Sequence, residues 1–301
     1  MTLDIMLPYY GDVAMMQAAV RSVIAQDDPD WRLTVVDDGQ EPGVPEWFAS
    51  LDDPRVRYLR NETNLGITRN FQKCVDLAEA DHLVLFGTDD LMLPNYVRTV
   101  RGILADHPKV AIVQPGVEVI DARGEVTSTL VDQVKRRLYA PPRSGRLVMG
   151  GEDLAVSLLR GNWLYFPSLC WRTDAIRRVR FRPELRVIQD LALIIELVQL
   201  GEQMVVDPAL CFRYRRHPES VSSSDAVAGR RFVEARAYFL ETAEQMRAHG
   251  WPRAARAARR YRSSRLHAAT MLPGAVKTAI RTRRAGTVRT LVRHAFGPAR
   301  V

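Results

Sequence analysis

Cysteine is scarce: Cys74, Cys170 and Cys211 are the only three in 301 residues. An odd, widely spaced set excludes a disulfide framework and a Cys-rich zinc site. No apolar run approaches the roughly 18 residues that a membrane-spanning helix needs. Met1-Thr2-Leu3-Asp4 carries no basic segment followed by a long apolar stretch, so no secretory leader is expected. Together these absences lead us to expect a cytoplasmic protein with reduced thiols. Two phosphate-binding signatures are missing as well. No G-x-G-x-x-G follows the first apolar run, which argues against a dehydrogenase-type dinucleotide site, and no G-x-x-x-x-G-K-[ST] exists, which argues against a P-loop NTPase.

Acidic residues also run out. From Gln245 to Val301 there are 14 Lys and Arg and no Asp or Glu. Residues 1–244 hold 29 basic and 35 acidic residues, so the overall charge of +8 averages a mildly acidic body and a strongly basic tail. Such a tail favours an anionic membrane surface at the inner face of the cell, or packs on the body of the chain or on a second subunit. Nucleic acid is not expected, because the body is acidic and the tail does not interleave basic with aromatic residues.

What the chain does contain is an ordered alternation. Apolar runs at 3–7, 32–36, 55–59 and 82–86 predict strands, the first stopped by Pro8. Helical spacing fills 13–25, 44–51, 67–80 and 94–106, with Asp12 suited to cap the first of these. The alternation predicts an α/β fold with a mainly parallel sheet and helices on both faces. Ligands of such sheets bind beyond the carboxyl ends of the strands. Three strand ends carry the residues that stand out: Pro8-Tyr9-Tyr10, Asp37-Asp38 and Thr88-Asp89-Asp90. Adjacent carboxylates repel unless a positive partner joins them, and a phosphate-bound divalent cation is one such partner.

Farther along, a strand at 110–120 leads to a turn at Asp121-Ala122-Arg123-Gly124, and 128–151 reads as an irregular connection. Asn162, Trp163 and Tyr165 lie in a stretch that is either a core strand or an acceptor-pocket wall. A helix starts at Gln189-Asp190 and ends at Gly201. Strands are expected at 205–206 and 211–214, followed by the basic group Arg213, Arg215, Arg216 and His217 around Tyr214. Helices are expected at 225–248 and 252–269, with a weaker pair at 273–296.

The order of these features resembles a family 2 glycosyltransferase of the GT-A fold. The resemblance rests on Pro8-Tyr9-Tyr10, Val35-Val36-Asp37-Asp38-Gly39, Asn64-Leu65-Gly66 with Arg69-Asn70, Thr88-Asp89-Asp90 with Pro94, Trp171-Arg172 through Arg180-Phe181, Gln189-Asp190, and Tyr214-Arg215 with His217. It covers roughly 2–224, implying a transferase domain there (1–106 for the nucleotide, 107–224 for acceptor and base) and a basic helical extension at 225–301. The resemblance implies an inverting, metal-dependent transfer of a sugar from a UDP or dTDP donor to an acceptor hydroxyl of a polysaccharide, glycolipid or small natural product. Pro8, Tyr9, Tyr10, Asp12, Asp37, Asp38, Arg69, Thr88, Asp89 and Arg215 would contact the nucleotide sugar. Asp89, Asp90 and His217 would hold Mn²⁺ or Mg²⁺, Asp190 would be the general base, and Asn162, Trp163 and Tyr165 would face the acceptor. Two positions depart from the family pattern: Gly87 stands where an acid is usual, and Gln189 where Glu is frequent. The competing readings are a nucleotidyltransferase, which lacks its Gly-rich loop here, and a non-catalytic nucleotide-sugar or anionic-surface binder.

Overall fold

The structure, a computed structural model, describes residues 1–127, 137–142, 145–216, 229–282 and 286–298. The first units are β1 (Leu3–Tyr9), α1 (Val13–Ile24), β2 (Trp31–Asp37), α2 (Val44–Ala49), β3 (Val56–Arg60), α3 (Ile67–Leu77) and β4 (His82–Leu85). Then come β5 (Leu91–Met92), α4 (Tyr96–Asp106), β6 (Ile112–Ile120), β7 (Leu147–Met149), α5 (Gly151–Arg160), β8 (Cys170–Arg172), α6 (Thr173–Arg178), α7 (Gln189–Gln199) and β9 (Met204–Arg215). The tail forms α8 (Arg230–Ala248), α9 (Pro252–Arg260), α10 (Arg262–Thr282) and α11 (Gly286–Phe296).

Among the described residues one sheet runs β3-β2-β1-β4-β8-β6-β9-β5, with β7 also paired to β9. Its long ladders, β1–β2, β2–β3, β1–β4 and β6–β9, are parallel. Short antiparallel pairings of β8, β5 and β7 complete it. Alternate side chains of each strand enter two apolar layers. Leu3, Ile5, Leu7, Val84 and Phe86 pack with α1 and α4 on one face. Met6, Leu83 and Leu85 pack with α5, α7 and α8 on the other. The fold is therefore the expected mostly parallel α/β sheet covered on both faces. Cys74, Cys170 and Cys211 are all free and buried within these layers.

Several local expectations change. β1 does not stop at Pro8 but runs on to Tyr9. Met6 accepts from Phe86 N on the β4 side, whereas Tyr9 accepts from Asp38 N on the β2 side. By alternation the missing N–H of Pro8 faces the β4 side, past the last β4 pairing at Met6, so no ladder bond is lost there. The two strands expected at 205–206 and 211–214 are one strand, β9, with register shifts opposite Gln114–Val117. The connection at 128–151 contains a strand, β7, while 128–136 lie outside the described residues. The helix expected at 252–269 breaks at Tyr261, whose φ of 28° is left-handed. Its fully buried ring stacks on Phe239 with centroids 5.8 Å apart, and Arg236 donates to its hydroxyl at 2.6 Å. Burial of that ring sets the break where sequence periodicity shows none. α10 then runs through an exposed Pro273.

α8 and α9 enter the same apolar layer as α7: Tyr238, Ala243, Met246, Ala254 and Ala258 are buried there. Glu152 of α5 holds the start of α9, accepting from Arg253 N at 2.6 Å and Ala254 N at 3.1 Å. The boundary expected at 224/225 falls within 217–228, outside the described residues.

Candidate active site at the carboxyl ends of the strands

The register brings the singled-out residues to one edge of the sheet. Tyr9 pairs with Asp37, and the end of β4 runs beside β1. Tyr10 is 67% exposed at this rim, while the buried Tyr9 donates its hydroxyl to Gly11 O at 2.9 Å. Asp12 is exposed and its carboxylate caps α1 through Met15 N at 2.8 Å, so the nucleotide role expected for it yields to a helix cap. Pro8 and Thr88 are partly buried between these groups.

Asp37 and Asp38 are buried and extensively bonded. Asp37 accepts from Gly39 N at 2.8 Å, from Arg60 Nε at 3.0 Å and from the Tyr58 hydroxyl. Asp38 Oδ1 accepts from Asn61 Nδ2 and Leu65 N, each at 2.7 Å, and Oδ2 from Gly66 N at 2.9 Å. Gly66 lies at φ 77°, a left-handed conformation suited to glycine, and α3 starts directly after it. Asp38 thus ties the 64–66 turn to β2 and directs α3. That helix carries Arg69, which is exposed and makes no hydrogen bond or ion pair to the described residues. Asp37 is fully buried, with one donor on Oδ1 and two on Oδ2. Asp38 Oδ2 holds one N–H, and a carboxylate oxygen can accept another.

Asp89 and Asp90 are arranged differently. Asp90 is fully buried; its Oδ1 accepts from Arg215 N at 2.8 Å, and its Oδ2 has no partner among the described residues. Burial first, and the neighbouring Asp89 charge second, push its carboxyl well above the ordinary range, against a smaller opposing effect of Arg215. Gly87 makes the close packing possible. A Cβ there would lie 2.5 Å from Asp90 Oδ2 and 3.2 Å from Asp89 Oδ1. The position where the family pattern has an acid is therefore filled by the two carboxylates themselves. An orphaned, buried carboxylate oxygen beside a second carboxylate fits a divalent cation. Among the described residues no three His, Cys, Asp or Glu form a metal cluster. Two carboxylates with water and phosphate oxygens are a normal Mg²⁺ set. His217 lies outside the described residues.

Arg215, expected at the diphosphate, is used otherwise. Its guanidinium donates to Asp89 O at 2.7 Å, Asp121 O at 3.0 Å and Ala122 O at 3.2 Å. It is buried and fastens the 121–124 turn over the acidic pair, because β9 pairs with β6 directly ahead of that turn. The guanidinium beside it, Arg216, lies over the Tyr214 ring, 5.6 Å from its centroid.

Asp190 occupies the first turn of α7, partly buried, and accepts from Asn162 Nδ2 at 3.0 Å and Leu191 N at 2.7 Å. Asn162 is thus a partner of the expected base. Trp163 is buried and donates to Ser157 Oγ at 3.1 Å. Tyr165 packs on Tyr214 with centroids 5.1 Å apart. Trp163 and Tyr165, with Gln114, Ala140 and Pro142, line a cavity of about 50 Å³.

Tyr214 is the residue on which the two halves meet. Burial and the negative charges of Asp90, Asp89 and Asp190 raise its hydroxyl above the ordinary tyrosine value, while Arg216 opposes them. Arg231 of α8, which sequence reasoning missed, has Asp190, Tyr214, Arg216 and Glu234 as its charged or titratable neighbours. Burial lowers its guanidinium from the ordinary value. Nothing in an Arg-rich helix outside every motif marks that one arginine.

Comparison with known proteins follows this geometry. The sequence profile described as Glycosyl transferase family 2 matches residues 4–154. An uncharacterized Mycobacterium tuberculosis (strain CDC 1551 / Oshkosh) protein, MT1568, is 25% identical over 242 residues, 77% of this chain and 72% of its own. The putative colanic acid biosynthesis glycosyl transferase WcaA of Escherichia coli (strain K12) is 22% identical, over 72% of this chain and 74% of its own. Among solved structures, residues 1–349 of S. aureus TarS in complex with UDP-GlcNAc superpose with a TM-score of 0.60 at 12% identity, covering 98% of this chain and 90% of that one. In a longer TarS chain this protein spans 40% of the length.

Proposed function

The chain belongs to glycosyl transferase family 2, and on that premise we propose that it transfers a sugar from a UDP or dTDP donor to an acceptor hydroxyl with inversion at the anomeric carbon. It is a glycosyltransferase acting on a nucleotide sugar; the donor base, the mechanism and the residue roles are our reading. One observation supports it most: at the end of β4, in a chain of this family, the buried Asp90 Oδ2 lies beside Asp89 with no hydrogen-bond partner among the described residues.

Tyr10 offers the base a flat exposed face, and Asp38 Oδ2 can accept its N3–H. Arg69 and Arg216 supply positive charge on either side of the diphosphate. Asp89 and Asp90 would hold Mn²⁺ or Mg²⁺, which when bound offsets charge on the departing diphosphate. Asp190, oriented by Asn162, takes the proton of the acceptor hydroxyl. The acceptor oxygen attacks the anomeric carbon from the face opposite the leaving group. The bond from that carbon to the phosphate oxygen breaks, and its electron pair leaves with the nucleoside diphosphate. In this reading the cavity lined by Trp163 and Tyr165 would take the acceptor. The UDP-GlcNAc bound to TarS is consistent with a uridine donor.

A thermal-shift screen of nucleoside diphosphates and their sugars, with and without Mn²⁺ or Mg²⁺, is expected to single out one donor. Asp190→Asn is expected to keep that donor's affinity and lose about 10²- to 10⁴-fold in transfer rate. Wild-type transfer by this variant would remove Asp190 as the base.

A peripheral membrane location is part of this reading. No helix of the described residues is long and apolar enough to cross a membrane. The exposed Leu266, Val276, Ile280, Val292 and Phe296 of α10 and α11 are interspersed with Lys277, Arg281, Arg289 and Arg293. That mixture suits an anionic interface. Flotation with liposomes containing anionic lipid is expected to carry the full chain and fall off with added salt; equal flotation with neutral liposomes would discard the idea.

A further inference from the structure

The segment that delivers Asp190 is held from an unexpected direction. Residues 186–188 enter α7 with their amide N–H groups pointing at one carboxylate, that of Glu234 on α8. Arg186 N donates to Glu234 Oε2 at 3.0 Å, and Val187 N and Ile188 N donate to Oε1 at 2.9 and 2.8 Å. Ile188 is the residue that caps α7, and Asp190 follows two positions later. Amides ahead of a helix have no intrahelical acceptor, so their orientation depends on what accepts them. Here the acceptor is a single side chain three residues after Arg231, which itself neighbours Asp190.

α8 can act as a fixed support for that carboxylate. Its Ala235, Tyr238 and Ala243 are buried in the same layer as Leu191, Ile194 and Val198 of α7. Asn162 holds Asp190 from the opposite side, at the carboxylate itself. Backbone and side chain of the base are thus set by different elements. Glu234 lies outside the 4–154 match to the family and within the stretch that the sequence marks only as a basic extension.

We propose that Glu234 is a positioning residue for Asp190, so that the C-terminal helix α8 forms part of the catalytic machinery. The inference rests on the reading of Asp190 as the base. Its effect passes through the backbone of 186–188 and concerns the rate of proton transfer rather than donor binding.

The test uses the full chain with Glu234→Ala, Glu234→Gln, Asp190→Asn and the Glu234→Ala/Asp190→Asn double variant. Val233→Ala serves as control, since Val233 is 61% exposed on the same helix. Amide hydrogen exchange over 186–192 reads the clamp without substrate. Release of nucleoside diphosphate as the sugar passes to water in place of the acceptor, with UDP-glucose, UDP-N-acetylglucosamine and dTDP-glucose supplied one at a time, reads turnover and donor KM. Glu234→Ala is expected to speed exchange at 186–188 by about tenfold or more, with the core of α7 still protected. It should lower kcat by about 10- to 100-fold, as a misplaced reacting group does, and leave KM for donor within about threefold. Glu234→Gln retains a carbonyl oxygen for Val187 and Ile188 and should recover most of that loss, which also covers the case in which the alanine variant folds poorly. The double variant should be no slower than Asp190→Asn. Unchanged exchange at 186–188 in Glu234→Ala overturns the proposal. So does wild-type kcat in Glu234→Ala while Asp190→Asn is inactive, and in that case the base reading stands. Wild-type turnover by Asp190→Asn overturns the base reading itself.

Discussion

Two tandem aspartates end two parallel strands of this protein, and the structure treats them in opposite ways. Asp37-Asp38 after β2 is enclosed by donors from Gly39, Tyr58, Arg60, Asn61, Leu65 and Gly66. Asp89-Asp90 after β4 has one buried oxygen, Asp90 Oδ2, with nothing bonded to it among the described residues. A saturated carboxylate pair organises the chain around it. A buried carboxylate oxygen without a donor, such as Asp90 Oδ2, is costly by itself and is stabilised when a cation arrives. The first pair therefore holds distant segments together, and under the proposed function the second would receive the metal.

Substitutions can break or sharpen that contrast. The largest effect is expected on the saturated side. Asp38→Ala strands one amide N–H of Asn61 and the N–H of Leu65, while Gly66 N keeps Asn64 Oδ1, costing about 2–4 kcal/mol of stability in urea denaturation. A variant as stable as wild type would mean that water replaces the carboxylate there.

On the open side the effect should appear in binding instead. Asp90→Asn is expected to lower Mn²⁺-dependent nucleotide affinity about 10- to 100-fold by calorimetry, in line with losses at metal sites. Its effect on stability should have the opposite sign from that of Asp38→Ala. Because the folded carboxyl of Asp90 is raised, the folded chain keeps a proton that the unfolded chain has released between the ordinary and the raised values. Across that window metal-free stability falls as pH rises. Asp90→Asn should flatten this slope and leave the metal-free chain more stable at the alkaline end. Denaturation midpoints across mildly acidic to alkaline pH check it, and an unchanged slope would assign the titration elsewhere.

The smallest effect is expected from Gly87→Ala. Its Cβ would meet Asp90 Oδ2 at 2.5 Å, so one short side chain must turn away. The cost should be about 1 kcal/mol of stability, the low end for overpacking. Metal-dependent affinity should fall with it, because the two carboxylates no longer lie together. Full affinity would show that the pair binds in a different arrangement.

Much of the frame was legible in the sequence. Strand–helix alternation, Asp12 as a cap, the turn at 121–124 and Gly201 as the end of α7 follow from periodicity and short-range bonding. The strand-end aspartates stood out because two charges closing a buried run are locally conspicuous. The division of labour between them was not legible, since Asp38 takes its partners from residues 23 to 28 positions away and Asp90 takes its one partner 125 positions away. Arg215 shows the same limit: a basic residue after a strand reads as an anion contact, and its bonds to three carbonyls of other segments are not visible in that stretch. In the tail, helical spacing leaves a small apolar face of Ala254, Ala255 and Ala258 between the arginines, and the body packs against it.

The sequence by itself determined the fold class, the family and the strand ends at which the crevice lies, because these are written in local pattern and order along one chain. Only the tertiary structure decided which donors Asp37 and Asp38 hold, that carbonyls take the guanidinium of Arg215 and that Glu234 reaches back to the segment carrying Asp190. Hydrogen-bond satisfaction depends on donors that come together only when distant segments pack, and no pattern within a single stretch records them.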